Sequence, residues 1–218
     1  MSEFSVELVS ITSGAGKLAG KTAQEVITHN ARVSNPTNQM NFDTAAGLLR
    51  HCIKEGHWSI FDQADMGLEI VTSRAISPQF LRHWSFDFQE FSQRYAKVTN
   101  NIIYQPRRQD VKNRQNSVDD LPEHTINYFI QAQKEAWDFA YAKYENALNL
   151  GVAKECARIL LPSSAQTTFY MKGTARNWIH YLKTRTHAAT QKEHRDIALA
   201  CKVIFDEQFP DIAKALFL

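Results

Sequence analysis

Apolar and polar positions alternate through residues 5–11 (SVELVSI), a run rich in β-formers that predicts a strand. A Gly-rich turn follows, then a helix over about 21–32. From Asn41 to Glu55, Leu48, Leu49, Cys52 and Ile53 make one apolar face, with Asp43 or Thr44 available as cap and Gly56 as stop. Met66, Leu68 and Ile70 alternate with polar positions or glycine, predicting a strand over 64–72. Ser77-Pro78 suits the cap and first position of a short helix through Phe80 and Leu81.

Residues 105–121 (QPRRQDVKNRQNSVDDL) break every periodicity and read as a solvated surface loop. The longest helical pattern runs from Pro122 to Leu150, where Ile130, Trp137, Tyr141, Tyr144 and Leu148 recur at spacings of three, four and seven. That stripe is core or subunit interface. A helix over 152–161 ends at Pro162, a short strand covers 167–171, and helices over 174–186 and 190–217 finish the chain, the last broken near Pro210. Strands and helices mix without βαβ alternation. The reading is therefore α+β: one domain, residues 1–218, with a central antiparallel or mixed sheet and several long helices.

Composition narrows the possibilities. With 44% hydrophobic and 22% charged residues, collagen-like and broadly disordered classes are excluded. A net charge of +2 gives no global argument for nucleic acid or an anionic membrane, so anions would have to be met by local clusters of arginine. No apolar run approaches the roughly 18 residues of a membrane helix, and the opening MSEFSVELVS does not read as a leader. Cys52, Cys156 and Cys201 lie far apart without a CxxC, which indicates free buried thiols in a reducing compartment, and a cytoplasmic protein.

Two stretches suggest chemistry. Residues 15–22 (AGKLAGKT) mimic the phosphate-cradling GxxxxGK[ST] loop of triphosphatases, but Ala15 replaces its first glycine and no later strand ends in a Mg²⁺-binding Asp. A Gly-rich strand-to-helix turn is the plainer reading. Residues 79–95 (QFLRHWSFDFQEFSQRY) are denser: Arg82, His83, Glu90, Ser92 and Arg94 alternate with Trp84, Phe86, Phe88, Phe91 and Tyr95, on a helix end and the loop after it. A solvated surface would not need those aromatics, and a core would not tolerate those charges unless paired. The mixture suits a pocket gripping a flat, phosphorylated ligand. Further on, Glu155 and Arg158 stand at i,i+3, and Arg176, His180 and Lys183 at i, i+4 and i+7 of a later helix, with Arg185 beyond.

On these residues the chain resembles the flavin-dependent thymidylate synthases. Their signature, Arg-His-Arg, seven residues and Ser, is matched by Arg82-His83-Trp84 and Ser92, followed by Gln93-Arg94-Tyr95 where the family usually has Gly-Arg-Tyr. Ala31-Arg32-Val33-Ser34, the run Gly56 to Asp62, Cys156 to Pro162, and Ala175-Arg176 through Arg185 to Gln191 and Glu193 are similar to further family segments in order and spacing. The resemblance implies conversion of dUMP to dTMP, with FAD as cofactor and with methylenetetrahydrofolate and NADPH as co-substrates, in a homotetramer whose sites are shared between subunits. No cysteine lies in residues 79–95 or 176–185, consistent with a mechanism that lacks an enzymic thiol. By resemblance Arg185 lies against the uracil ring as a fixed positive charge. Gln79, Arg82, Glu90, Ser92, Gln93, Arg94 and Arg158 would hold the nucleotide. Ser34, His57, Ser59, Arg82, His83, Trp84, Glu90, Thr174, Arg176 and His180 would face the flavin.

The chain departs from the pattern at Trp84, which replaces the second signature Arg, at Thr174 and Gln89, where Asn is usual, and at Pro78, a position often basic. Trp brings no charge to a flavin phosphate but can stack on a ring. Two other readings therefore stand beside the synthase: a flavin enzyme acting on another pyrimidine nucleotide or a weakly active flavin-binding relative, and, more remotely, the triphosphatase.

Overall fold

A computed structural model describes residues 4–217. The opening residues 1–3, on which the reading of the N-terminus partly rests, and Leu218 lie outside the described residues. Four strands form one antiparallel sheet in the order β1 (Ser5–Ile11), β2 (Asp65–Ser73), β6 (Gln166–Thr174), β3 (Asp87–Glu90). Between β1 and β2 come helices α1 (Ala23–Ala31) and α2 (Ala45–Lys54), and between β2 and β3 the single turn α3 (Ser77–Phe80). A small hairpin of β4 (Arg108–Gln109) and β5 (Ser117–Val118) precedes the long helix α4 (Glu123–Asn149) and the turn α5 (Lys154–Ala157). Helices α6 (Ala175–Arg185), α7 (Lys192–Gln208) and α8 (Pro210–Phe217) follow β6.

The two central strands supply the core. Met66, Leu68 and Ile70 point the same way as Phe169 and Met171, with Leu68 opposite Met171 and Ile70 opposite Phe169, and all are fully buried. Such cross-strand apolar pairs are the unit of sheet stability. They pack against Trp178 and Leu182 of α6 and Ile197 and Cys201 of α7. The opposite positions of β6, Tyr170 and Lys172, are exposed, so the strand keeps its alternation three residues beyond the expected 171.

Several expectations need correction. The segment after α3, read as a loop, contains β3, whose Phe88 and Glu90 pair with Met171 and Phe169. Four residues with one clear apolar position carry too little pattern to announce a strand; pairing with β6 makes it one. The helix expected over 152–161 is one α-turn followed by a 3₁₀ turn at Arg158–Leu160. Ser77 is inside α3, capped at Ile76, and the Thr44 hydroxyl accepts a bond from Arg32 at 2.7 Å instead of capping α2. Cys156 is exposed, unlike Cys52 and Cys201.

Two details position the site. A Cβ on Gly173 would meet the Phe86 ring at 2.6 Å, so glycine lets the residue-82–86 loop lie flat on β6. The Thr174 hydroxyl caps α6 by accepting from the Asn177 N–H at 3.3 Å, so the helix springs directly from the strand end.

Candidate functional site

Where the loop after α3 meets α6 lies a cavity of about 750 Å³, lined among others by Arg82, His83, Trp84, Arg176, His180 and Lys183. These come from two stretches nearly a hundred residues apart. Asn177 joins the stretches by donating to the Ser85 carbonyl at 2.6 Å. Trp58 and Asp62, from a 3₁₀ turn at Trp58–Gln63, close a third side. Asp62 accepts from Arg176 at 3.1 Å and from the Thr174 hydroxyl at 3.0 Å, and Lys183 lies 5.6 Å from the Trp58 ring. Cations outnumber the one carboxylate, and indoles stand at the edge. The cavity's size and lining suit a large, flat, anionic ligand. Trp84, however, is 93% exposed at the cavity edge.

Arg185 does not line this cavity but stands behind His83, donating from Nε to His83 Nε2 at 2.9 Å. His83 can accept that bond only as a neutral ring protonated on Nδ1. Burial, then the charges of Arg185 and His180, push its pKa from 6.5 down to about 4. His194 on α7 is completely buried, and burial with the charges of Arg185 and His83 lowers it to about 3. Both imidazoles are therefore neutral at physiological pH, leaving the fixed charge of Arg185 undiluted by them. Tyr181 touches both, its ring 5.1 Å from His83 and its hydroxyl 3.2 Å from His194 Nε2.

The remaining expected residues lie elsewhere. Gln79 bonds to Gln191 at 2.6 Å and to His194 at 3.2 Å. Glu90 is held by Arg74 at 2.5 Å and by the Thr167 hydroxyl at 3.0 Å. Arg94 pairs with the Glu155 carboxylate at 3.2 Å, and Arg158, three residues on from Glu155, donates to the Glu155 carbonyl instead of its carboxylate. Ser92 accepts from the Arg94 N–H at 3.4 Å, and Gln93 is buried beside it. Ser34 lines a separate cavity of about 480 Å³ with Arg32. His57 and Ser59 are exposed around the 3₁₀ turn, without lining the first cavity. The structure thus brings Arg82, His83, Trp84, Arg176 and His180 together, places Arg185 and Gln79 next to them, and leaves Ser34 and the Ser92–Arg94–Arg158 group on other parts of the surface.

Sequence reasoning passed over Asp62 and Asn177, which organise the cavity, and His194. The last had a signal: residues 194, 197, 198 and 201 share one helical face, and the other three are Ile, Ala and Cys. The 105–121 loop also conceals Arg107, whose ion pair with Glu193 at 2.6 Å is only 13–14% exposed.

The phosphate-loop look-alike falls on its geometry. Thr22 and Glu25 form a capping box, so Glu25's own carboxylate occupies the α1 N-terminus, and Lys21 pairs with it at 3.0 Å. An anion arriving there would meet a carboxylate.

An antiparallel sheet backed by helices, with a cationic, aromatic-edged cavity beside an arginine held by a neutral histidine, defines an α+β protein built for a nucleotide-like ligand. Residues 7–211 match the family described as thymidylate synthase complementing protein, and the chain belongs to that family. It is 52% identical over 214 residues to a probable flavin-dependent thymidylate synthase of Paramecium bursaria Chlorella virus 1, covering 98% of this chain and 99% of the relative. It is also 52% identical over 213 residues to the flavin-dependent thymidylate synthase of Synechocystis sp., covering 97% and 98% of the two chains. The UMP/dUMP methylase PolB from Streptomyces cacaoi, solved with 5-Br dUMP, shares the fold with a TM-score of 0.82 at 22% identity, over 99% of this chain and 95% of that one.

Proposed function

We propose that this chain is a flavin-dependent thymidylate synthase that makes dTMP from dUMP, taking the one-carbon unit from methylenetetrahydrofolate and reducing power from NADPH. The observation that carries this reading is the Arg185–His83 pair: a cation oriented by a neutral imidazole at the edge of a cavity of flavin-compatible size and charge.

The residues present fit FAD. Arg82, Arg176 and Lys183 would meet its phosphates, and His83, His180 and Trp84 its rings. When bound, the flavin supplies the reducing equivalents. This chain's own part is electrostatic. Arg185 presents a fixed positive charge to the pyrimidine, favouring electron density on its carbonyl oxygens and so nucleophilicity at carbon 5. His83, accepting the Arg185 Nε–H, restrains the guanidinium and leaves its terminal N–H groups for the base. Gln79, Ser92, Arg94 and Arg158 bind the nucleotide, where the forked guanidinium suits phosphate.

Since Ser92, Arg94 and Arg158 lie apart from the cavity, this reading includes a homotetramer in which one chain completes another's site. Exposed Tyr128, Phe129 and Phe139 on α4, with Ile159 and Leu160 nearby in sequence, support it as apolar surface awaiting cover. No helix among the described residues is long and apolar enough to cross a membrane, and a cytoplasmic location is part of the proposal.

The purified protein is expected to be yellow, to have the light-scattering mass of four chains, and to form dTMP from dUMP with tetrahydrofolate as co-product. Turnover of another pyrimidine nucleotide alone would favour the second reading. A colourless protein hydrolysing nucleoside triphosphates would overturn both.

A further inference from the structure

Along the contact between α3 and α7 runs a chain of hydrogen bonds whose direction is set at one end. Glu193 accepts from Arg107 on one oxygen, at 2.6 Å, and from the Gln191 amide nitrogen on the other, at 2.9 Å. Burial alone would raise the Glu193 carboxyl, but its own backbone N–H, Arg107 and Gln191 hold it below the usual range, so it is an anion and can only accept. Gln191 must then turn its nitrogen toward Glu193 and its oxygen toward Gln79. Gln79 donates its nitrogen to that oxygen at 2.6 Å, which turns its own oxygen toward His194 Nδ1 at 3.2 Å. His194 must accordingly carry its proton on Nδ1, leaving Nε2 to accept from the Tyr181 hydroxyl. The His194 ring is clamped on Phe80 of α3 at a centroid distance of 4.0 Å.

An isolated glutamine amide can flip, exchanging donor for acceptor with little penalty. Gln79 is denied that freedom at its nitrogen end, where Glu193 fixes the Gln191 oxygen as an acceptor, and the His194 Nδ1–H then holds the oxygen end. One N–H and one oxygen lone pair of Gln79 stay uncommitted, in a known orientation.

We propose that His194 is a positioning residue that, with Glu193 setting the direction of the chain, locks the Gln79 amide in the single orientation that binds the pyrimidine nucleotide. Gln79 as nucleotide ligand rests on the function proposed above; the fixed direction of the chain does not. Arg107, from the loop that looked merely solvated, anchors the far end.

The test has two arms on the flavin-loaded protein. In the first, dUMP is titrated into wild type, His194→Phe, Gln79→Ala and the double variant, with flavin content and melting temperature recorded alongside. His194→Phe keeps the ring against Phe80 but cannot hydrogen-bond. It is expected to weaken dUMP binding about tenfold, the scale of one or two lost hydrogen bonds, at unchanged flavin content. The double variant should bind no worse than Gln79→Ala alone. A lowered melting temperature with wild-type dUMP affinity, or additive losses in the double variant, would overturn the proposal. In the second arm, ¹⁵N-histidine NMR reads the tautomer of His194, using Glu193→Gln where His194→Phe proves too unstable to load. The Nδ1–H form is expected in wild type, with a shift toward mixed tautomers and weaker dUMP binding in Glu193→Gln. An Nε2–H ring in wild type would overturn it regardless of substrate. Wild-type protein that takes up flavin but no dUMP would instead fail the proposed function, and with it the role given to Gln79, leaving the tautomer result to stand by itself.

Discussion

Two corners of the molecule hold the residues that matter, and they are finished to different degrees. Around Arg185, His83, His194, Tyr181 and Gln79 are buried or half-buried and hydrogen-bonded to one another or to Arg185, and only the outer end of the chain, at Gln191, is exposed. Around Arg94, the ion pair to Glu155 has both side chains more than half exposed, at 54% and 53%, and apolar side chains nearby in sequence stand uncovered. A buried polar group left unpaired costs the fold stability, whereas an exposed one can wait for a ligand or a second subunit. The first corner is organised by its own fold; the second is left to be completed by what binds it.

Acid should break the first corner with the largest effect. His83 and His194 stay neutral in the folded protein down to about 4 and about 3, against 6.5 ordinarily. Below pH 6.5 the unfolded chain therefore binds protons that the folded one refuses, so stability rises with pH across this window and is lost as pH falls through it. The groups facing them are Arg185, His180 and Tyr181, with the Gln79 amide on His194; among the described residues no carboxylate is hydrogen-bonded to or ion-paired with either ring to accommodate an added charge. Folding should weaken steadily toward pH 4, more through the fully buried His194 than through the half-buried His83, whose penalty solvent screens. Melting temperatures from pH 7 to 4 measure this, and His194→Phe should show the shallower acid slope. Equal slopes would mean the rings are not held neutral together.

Removing the charge at the centre of that corner comes next. Arg185→Ala is expected to reduce turnover about a hundredfold or more, roughly 3 kcal/mol, the scale of one preorganised charge contact in a water-poor site. Flavin content should change little, because Arg185 lies outside the cavity. Arg185→Lys should recover only part, since lysine lacks the Nε–H that His83 accepts in a planar fork. Near-normal dTMP formation by Arg185→Ala would remove it from the mechanism.

Trp84 tests the boundary between the corners. At 93% exposure its indole is left open by the described residues, as a platform for a bound ring or a second subunit. Trp84→Arg would add a cation beside Arg82 and Arg176 at the cavity edge. A charged hydrogen bond to phosphate contributes about 1.5–3 kcal/mol and lost stacking subtracts about 1 kcal/mol. Flavin titration should thus tighten about tenfold, with a steeper dependence on ionic strength. Unchanged or weaker binding would mark Trp84 as an adaptation for its ligand.

The sequence yielded the longer helices and the two central strands because their periods are set by what they bury: Met66, Leu68 and Ile70 alternate into the main core, and Trp137, Tyr141 and Tyr144 recur by helical turns, with Trp137 and Tyr141 in a smaller cluster beside Val98 and Ala165. It missed β3, whose four residues become a strand only through pairing with β6. Arg82, His83, Trp84, Arg176 and His180 could be proposed as one group from residue type and family resemblance. Their joining through Asn177 and Asp62 could not, because an amide and a carboxylate at those positions look like any solvated side chain until the loop lies on the sheet. Arg107 was hidden for the opposite reason: the polar composition of residues 105–121 signals solvent, while its partner Glu193 lies far along the chain.

The smallest effect sharpens the comparison most. Because the Arg94–Glu155 pair is open to water, breaking it with Arg94→Ala or Glu155→Ala should change stability by less than about 1 kcal/mol. An ordinary surface pair would end there. If this corner is half of a nucleotide site completed by another subunit, the two variants should part company in dUMP titrations. Arg94→Ala loses a phosphate ligand and should bind dUMP at least about tenfold more weakly. Glu155→Ala removes a competing carboxylate from Arg94 and should bind as well as wild type or better. Opposite effects on affinity at equal stability are what a site held ready by a displaceable internal anion produces. If both variants bind dUMP as wild type does, the nucleotide never reaches this corner, and the division of the site between chains loses its chemical support.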